Sequence, residues 1–387
     1  MKIVFFTALF FHFGAIFFSF DNGFLTNIKL ETIIVSSVDL LLGFLVLYFV
    51  LQRFKGVKYQ FAELYEESYL PVIERLKPVI FLLLLWSAFL AFQSYSLIGA
   101  GILRHQLLKE YDAGGLDYMI LSGFFKLLVP FVYCFRSSLN LKVMSLLGLI
   151  MVIIITASRS ELRYVIHFFL ILMIFNQGRE GSVRLIKFTL MAFLMIAFAI
   201  LSTSLIQNRP ISDGVNAIFD IVRNVFTYRA YGYYLGEVAM QNSFYLDKLF
   251  FPFGGYISEF FMKNITNITV PIDSAYVGGL HELGTSPSTG RPYLANVVYP
   301  WWSWFVGVFG FLGLIVKAIY IYILLYMILL RKMIFTLVML LSFVLLGTAV
   351  SHPFMTLTHV FSFFVAVVFD FVIYYLSSRK FLLKGKT

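Results

Sequence analysis

Residues 228–237 read YRAYGYYLGE, 250–260 read FFPFGGYISEF, 278–292 read GGLHELGTSPSTGRP and 296–304 read NVVYPWWSW. They belong to a segment from Gln207 to Pro300 in which Gly, Pro, Tyr, Arg and His replace the plain Leu, Ile and Phe on either side. No part of it offers the ~20 consecutive apolar residues that a spanning helix needs. The flanks offer little else. Apolar runs cover residues 3–20, 32–52, 78–98, 117–135, 143–158, 162–177, 188–206, 304–330, 333–351 and 356–377. An all-α polytopic membrane protein is expected, with about ten transmembrane helices and one long insert carrying membrane-surface helices.

Composition agrees with that class. The chain has 387 residues, of which 60% are hydrophobic and 13% charged, about half the charged share of a soluble domain. A net charge of +10 invites a nucleic-acid partner. No soluble basic patch carries it, however, and most Lys and Arg sit in short loops, where positive charge sets membrane orientation. The single cysteine, Cys134, excludes an intramolecular disulfide and offers no metal or redox motif. No small-residue cleavage site follows the first apolar run, so it is expected to remain as a span.

Orientation follows from the loops. With a cytoplasmic amino terminus, the inner segments hold Arg53, Lys55, Lys58, Arg75, Lys77, Arg179, Arg184, Lys187 and the basic tail after Arg379. The short outer loops hold only Lys29, Arg104, Lys109, Arg159 and Arg163. The positive-inside rule places both termini in the cytoplasm. The long insert, the tight turn SRSELR (158–163) and the loop SHPFMTLTH (351–359) then lie outside. The chain divides into spans one to seven (1–206), the outer segment (207–303), and spans eight to ten with a tail (304–387). No internal repeat is visible, so an inverted-repeat transporter gains no support.

Within the insert, 215–238 reads as an amphipathic helix lying on or dipping into the membrane surface. Asp220, Arg223, Asn224, Thr227 and Tyr231 share a polar face, while Ile218, Val222, Val225 and Phe226 lie opposite. Arg229 falls among the apolar residues, an inconsistency of the kind expected at functional sites. FFPFGG reads as a turn at the membrane surface, and 278–292 as a Gly/Ser/Pro-rich loop. Trp301, Trp302 and Trp304 read as anchors at the outer interface.

Arg159 and Arg163, four residues apart, share one helical face, and two guanidiniums in one outer cleft suit an anion such as diphosphate. The structural alternative is snorkelling with Glu161 as partner. Arg209 and Arg291 are further candidate phosphate contacts, each with a solvated-loop alternative. His281, beside Glu282, and Glu237 are the candidate proton acceptors. His352 and His359 flank the last outer loop; a hydrogen bond from His352 to a ligand is favoured over a metal pair, since no third ligand spacing is present. Asp39, Lys126, Lys317 and Asp370 fall within spans, where structural pairing, or for Lys317 snorkelling past the aromatic belt, is the expected resolution.

The TASRSELRYV turn, the outer YRAYGYYLGE stretch and the closing GTSPSTGRPYLANVVYPWWSWFVGVFGFLG resemble the bacterial O-antigen (oligosaccharide repeat unit) polymerase family. Its superfamily also contains the O-antigen ligases. The resemblance covers the topology of nearly the whole chain and implies a GT-C-like glycosyltransferase in the bacterial inner membrane, with its active site facing the periplasm. It implies an undecaprenyl-diphosphate-linked glycan as donor and a lipid-linked repeat unit as acceptor. A chain-length regulator and a flippase are implied partners, with no nucleic acid and no cofactor. Absence of a DxD motif or a Gly-rich nucleotide loop fits a lipid-linked donor. By this resemblance Arg159 and Arg229 contact the diphosphate. Aromatic residues of the insert, among them Tyr228 and Tyr233, can stack on sugars. Beyond the ligase, a flippase or transporter is the alternative from another class.

Overall fold

The computed structural model describes residues 2–21, 28–102, 115–156, 160–175, 221–242, 249–258, 281–285, 292–295, 299–347 and 356–384, with 107, 197, 260, 261 and 352–354. Helices α1 (Lys2–Asp21), α2 (Leu30–Arg53), α3 (Lys55–Leu64), α4 (Leu70–Arg75), α5 (Lys77–Gly99), α6 (Leu116–Cys134), α7 (Leu139–Ile155) and α8 (Ser160–Phe175) form the first part. After them come α9 (Ile221–Asn242), α10 (Phe251–Gly254), β1 (His281–Thr285), β2 (Pro292–Ala295), α11 (Trp301–Phe309), α12 (Leu312–Leu330), α13 (Ile334–Ser342) and α14 (Leu357–Lys384). Turns of π-helix follow α3 at Tyr65–Tyr69 and α13 at Phe343–Gly347.

Among the described residues five helices are long and apolar enough to cross a membrane: α2, α5, α6, α12 and residues 357–377 of α14. Shorter apolar helices cover Val4–Ser19, Leu139–Ile155 and Ile334–Gly347. Their side chains are arranged for lipid. On α2, Leu30, Ile34, Val38, Leu41, Leu45 and Phe49 are exposed, while Ser36 and Asp39 are buried. On α12, Leu312, Ile315, Ile319, Ile323 and Met327 are exposed and Lys317 is buried. An apolar outer stripe at helical spacing, with isolated polar residues turned inward, departs from the soluble pattern of a polar exterior. The protein is a helical membrane protein. The expected span at 188–206 lies outside the described residues.

Two compact units divide the chain. The first comprises Met1–Phe54, Ile221–Met327 and Leu340–Val360. In it α9 packs between α1 and α11, with Phe226 stacked on Phe18 at 5.1 Å and edge-on to Phe10. Ala15, Val35, Tyr233, Trp302, Val306 and Leu314 form one apolar core. The helix expected to be amphipathic is packed into the protein: Ala230, Tyr231, Tyr233, Leu235 and Glu237 are all buried. Small residues such as Ala230 and Gly236 let neighbours close on the helix from several sides, which a polarity pattern does not reveal.

Three more expectations change in this unit. The run 304–330 is not one span: Gly310, with φ 63°, ends α11 before α12 begins, a conformation that side chains with a Cβ resist. The stretch 278–292 is not all loop, since β1 and β2 pair antiparallel with His281 opposite Ala295 and Thr285 opposite Pro292. Finally, Trp301, Trp302 and Trp304 are core residues, each 1% exposed or less, and not interfacial anchors. Their flat rings fill the space where α11 meets α9 and α10, burying more apolar area than an interface would.

The second unit comprises Lys55–Asp220, Ile328–Met339 and Phe361–Thr387. Here α7 lies against α5 and α6, and α8 against α6 and α3, where Phe61 stacks on Phe175 at 4.3 Å. Lys126 of α6 is buried and pairs with Glu161 of α8 at 2.9 Å; Tyr118 donates to the other carboxylate oxygen at 3.1 Å. Glu161 thus serves Lys126 and not Arg163. Asp370 of α14 caps the start of α13. It accepts from the backbone N–H groups of Phe335 and Thr336 (3.2 and 2.9 Å), from the Thr336 hydroxyl (2.7 Å) and from Tyr69 (2.9 Å). The first N–H groups of a helix have no partner inside it, and lipid offers none. Asp370→Ala is expected to destabilise the protein by about 2–3 kcal/mol, the cost of buried donors losing a charged acceptor. Thermal unfolding in detergent reads this, and an unchanged midpoint would remove the capping role.

Candidate functional site

In the first unit the buried polar side chains converge between α1, α2, α9 and α11. Arg229 of α9 is 7% exposed. It donates to the Leu346 carbonyl at 2.7 Å and lies over the Phe11 ring at 4.6 Å. Its acceptor belongs to the π-helical turn after α13, where the i→i+5 pattern interrupts the regular ladder. A guanidinium in such a setting is held on a carbonyl and an aromatic face instead of by water.

One α-helical turn further along α9, Tyr233 meets His12 of α1. The phenol oxygen is 2.6 Å from Nδ1, and Nε2 is 2.9 Å from the Ser37 hydroxyl. Ser37 in turn donates to the Ile33 carbonyl at 2.6 Å. A carbonyl can only accept, so the Ser37 proton points to Ile33 and Ser37 accepts from Nε2–H. Nδ1 is then the bare nitrogen, and Tyr233 donates to it. Burial pushes the Tyr233 phenol above its ordinary range, consistent with a donor that keeps its proton.

Arg229, His12 and Tyr233 line one small recess together with Ser36, Trp302 and Leu346. It has room for about one water molecule. Trp302 is 1% exposed, and its Nε1–H has no acceptor among the described residues. The Ser36 hydroxyl is spent on the Ile33 carbonyl at 3.1 Å, so its oxygen is an acceptor. The recess thus combines donors with acceptors in a space sized for a single oxygen.

A second polar chain braces this unit. Lys317 of α12 pairs with Asp39 of α2 at 2.5 Å and lies 5.0 Å from the centre of the Trp301 ring. Trp301 donates from Nε1 to the Pro252 carbonyl at 3.0 Å. His352 shares that carbonyl at 2.9 Å, with Phe251 at 3.1 Å, while its Nδ1 accepts from the Phe354 N–H at 2.9 Å. Gly255, with φ 50°, faces the Phe354 carbonyl so closely that a Cβ there would strike it.

No family model, curated protein or solved structure matches this chain. The residues themselves therefore carry the functional argument.

Of the expected site residues, Arg229 and Tyr233 are brought together. Glu237 is buried and accepts the backbone N–H of Lys29 at 2.6 Å, anchoring the start of α2. His352 is corrected: fully buried with both ring nitrogens engaged, it braces the α10 turn and has no nitrogen left to offer a ligand. Arg163 is exposed on α8 in the second unit, donating to the Tyr164 hydroxyl at 2.8 Å. Tyr228 belongs to α9 and His281 to β1. Arg159, Arg209 and Arg291 lie outside the described residues. Among the described residues no group of three His, Cys, Asp or Glu could hold a metal ion. Sequence reading missed His12 and Trp302. His12 could have been found as the lone ionisable residue in a Phe-rich span, a functional hypothesis by default.

Burial pushes His352 down to about 3 from its ordinary 6.5, against the pull of the Pro252 and Phe251 carbonyls. The unfolded chain takes up a proton below its ordinary value that the folded chain refuses. Stability from this histidine is therefore complete above about pH 6.5 and is lost as pH falls toward about 3. His352→Gln should show a shallower fall in melting temperature across that window than the parent protein. Parallel slopes in thermal unfolding would contradict the buried neutral ring.

Proposed function

We propose that the protein is an integral-membrane glycosyltransferase of the O-antigen polymerase kind, joining undecaprenyl-diphosphate-linked repeat units on the outer face of the bacterial inner membrane. The observation that carries this reading is Arg229, a cation held inside an apolar helix bundle beside a recess also lined by His12, Ser36, Tyr233 and Trp302. Transfer of a glycan from lipid diphosphate develops negative charge on the leaving group. A fixed cation in a water-poor site offsets that charge far better than one in solvent. No redox or nucleotide-binding motif competes for the role in the sequence. The acceptor would be a lipid-linked repeat unit whose hydroxyl attacks the anomeric carbon. Positive charge on the inner loops supports cytoplasmic termini and, with them, a periplasmic α9. A chain-length regulator and a flippase would be working partners.

In a strain lacking the gene, lipopolysaccharide is expected to keep one repeat unit on its core and lose the ladder above it. Complete loss of O-antigen from the core would instead indicate a ligase or flippase and sink this reading. Arg229→Ala is expected to abolish laddering at normal protein abundance, a loss of about 10²–10³ in rate for a removed charge-stabilising donor. Arg229→Lys should restore little, because an ammonium cannot reproduce both the guanidinium bond to the Leu346 carbonyl and its stacking over Phe11. A normal ladder in Arg229→Ala would remove the residue from the site.

A further inference from the structure

The hydrogen-bond chain behind Tyr233 has one direction. Tyr233 donates to His12, His12 to Ser37, and Ser37 to the Ile33 carbonyl. Because the Tyr233 proton is committed to His12, its oxygen can only accept from anything else that approaches. Trp302, whose buried Nε1–H has no acceptor among the described residues, lines the same recess. Arg229 supplies a cation to the same lining. A buried N–H without a partner costs on the order of 1–3 kcal/mol, which an incoming oxygen would relieve.

The group that fits both demands carries an acceptor lone pair and a proton on one oxygen. A phosphoryl oxygen would satisfy Trp302 and Arg229 but has no proton for Tyr233. A hydroxyl has that proton, and the recess has room for about one such oxygen. We propose that the recess receives the nucleophilic hydroxyl of the acceptor sugar, with Tyr233 as the catalytic residue that takes its proton and His12 as the positioning residue that receives the Tyr233 proton. The inference rests on the glycosyltransferase reading and adds the acceptor side of the same site.

The step balances as follows. The acceptor O–H bond breaks and its proton moves to the Tyr233 oxygen, while the Tyr233 proton moves to His12 Nδ1. The freed oxygen lone pair forms the new bond to the anomeric carbon. The bond from that carbon to the phosphoryl oxygen breaks, and its electron pair leaves with the lipid diphosphate. His12 then carries a proton on each nitrogen, with Ser37 still accepting from Nε2. The reverse shift through Tyr233 releases that proton to water after the product departs.

The test uses the purified full-length protein in detergent with lipid-linked repeat units extracted from a strain lacking the gene. Tyr233→Phe keeps the ring and removes only the hydroxyl. It is expected to lower kcat by about 100-fold or more, the scale of positioned acid–base catalysis, with KM for the repeat unit unchanged. His12→Gln should lower kcat in the same way. Because the two residues act as one unit, the double variant should be no slower than the slower single variant. If Tyr233→Phe proves unstable, Ser37→Ala interrupts the far end of the chain and should lower kcat alone. A Tyr233→Phe enzyme with unchanged kcat, losses that multiply in the double variant, or a change confined to KM would each overturn the proposal. Release of free reducing-end glycan as the main product would identify water as the occupant and overturn it too. Wild-type protein that joins no repeat units would take down the glycosyltransferase reading itself, a result separable from a fast Tyr233→Phe variant.

Discussion

The ion pair between Asp39 and Lys317 is the interaction on which the first unit turns. Both residues are buried in helices whose outer faces are apolar, and hydrocarbon offers neither charge an alternative partner. Taking one such charge out of water costs several kcal/mol, and only its counter-ion in good geometry offsets that. The pair therefore fixes α2 against α12 at one point. Its consequences spread along the chain of contacts: Lys317 lies over Trp301, Trp301 bonds Pro252, and His352 shares the same carbonyl. Adjacent to Trp301 in sequence is Trp302, which lines the recess beside Arg229.

The second unit solves the same problem with different residues. Lys126 meets Glu161 between α6 and α8, and Asp370 meets the opened start of α13. None of these groups is placed to react; each is consumed by its neighbours. Arg229 differs in its setting, because it donates to a backbone carbonyl and also lines a small space. A pair that only neutralises charge favours close packing, whereas a cation beside a recess keeps a field available to whatever enters.

The membrane class was legible because membrane thickness dictates runs of about 20 apolar residues, and composition alone reveals such runs; five described helices meet that length. Pairing of Asp39, Lys317, Lys126 and Asp370 was legible as one resolution of a charge in a span, with snorkelling open for Lys317. Which partner each finds was not, because pairs such as Asp39 with Lys317 are brought together by helix packing and not by spacing. The break at Gly310 was hidden because glycine is tolerated in apolar helices, so it marks no boundary by itself. The tryptophans misled for a related reason: an indole suits a membrane interface and a protein interior equally well, and position along the chain does not say which. Arg229 was legible as a misfit on its helix. His12 was legible only as the lone ionisable residue of its run, since one imidazole among Phe residues changes the mean hydropathy hardly at all.

A transferase working beside water must keep water from replacing its acceptor, and the shape of the recess bears on that. An open cleft with the same groups would admit many waters and favour hydrolysis of an activated donor. Here the apolar walls are Ala8, Leu40, Trp302, Leu345 and Leu346, and the space left is about one oxygen. A sugar hydroxyl could occupy it only with the rest of the sugar held outside, on a surface that also binds the lipid-linked donor. Water could enter alone, but without that outer binding it would not be positioned against an anomeric carbon, and orientation is worth several kcal/mol of barrier. In this reading selectivity for transfer lies less in the polar groups of the recess than in the outer surface that delivers the sugar. The recess then sets the direction in which the proton leaves.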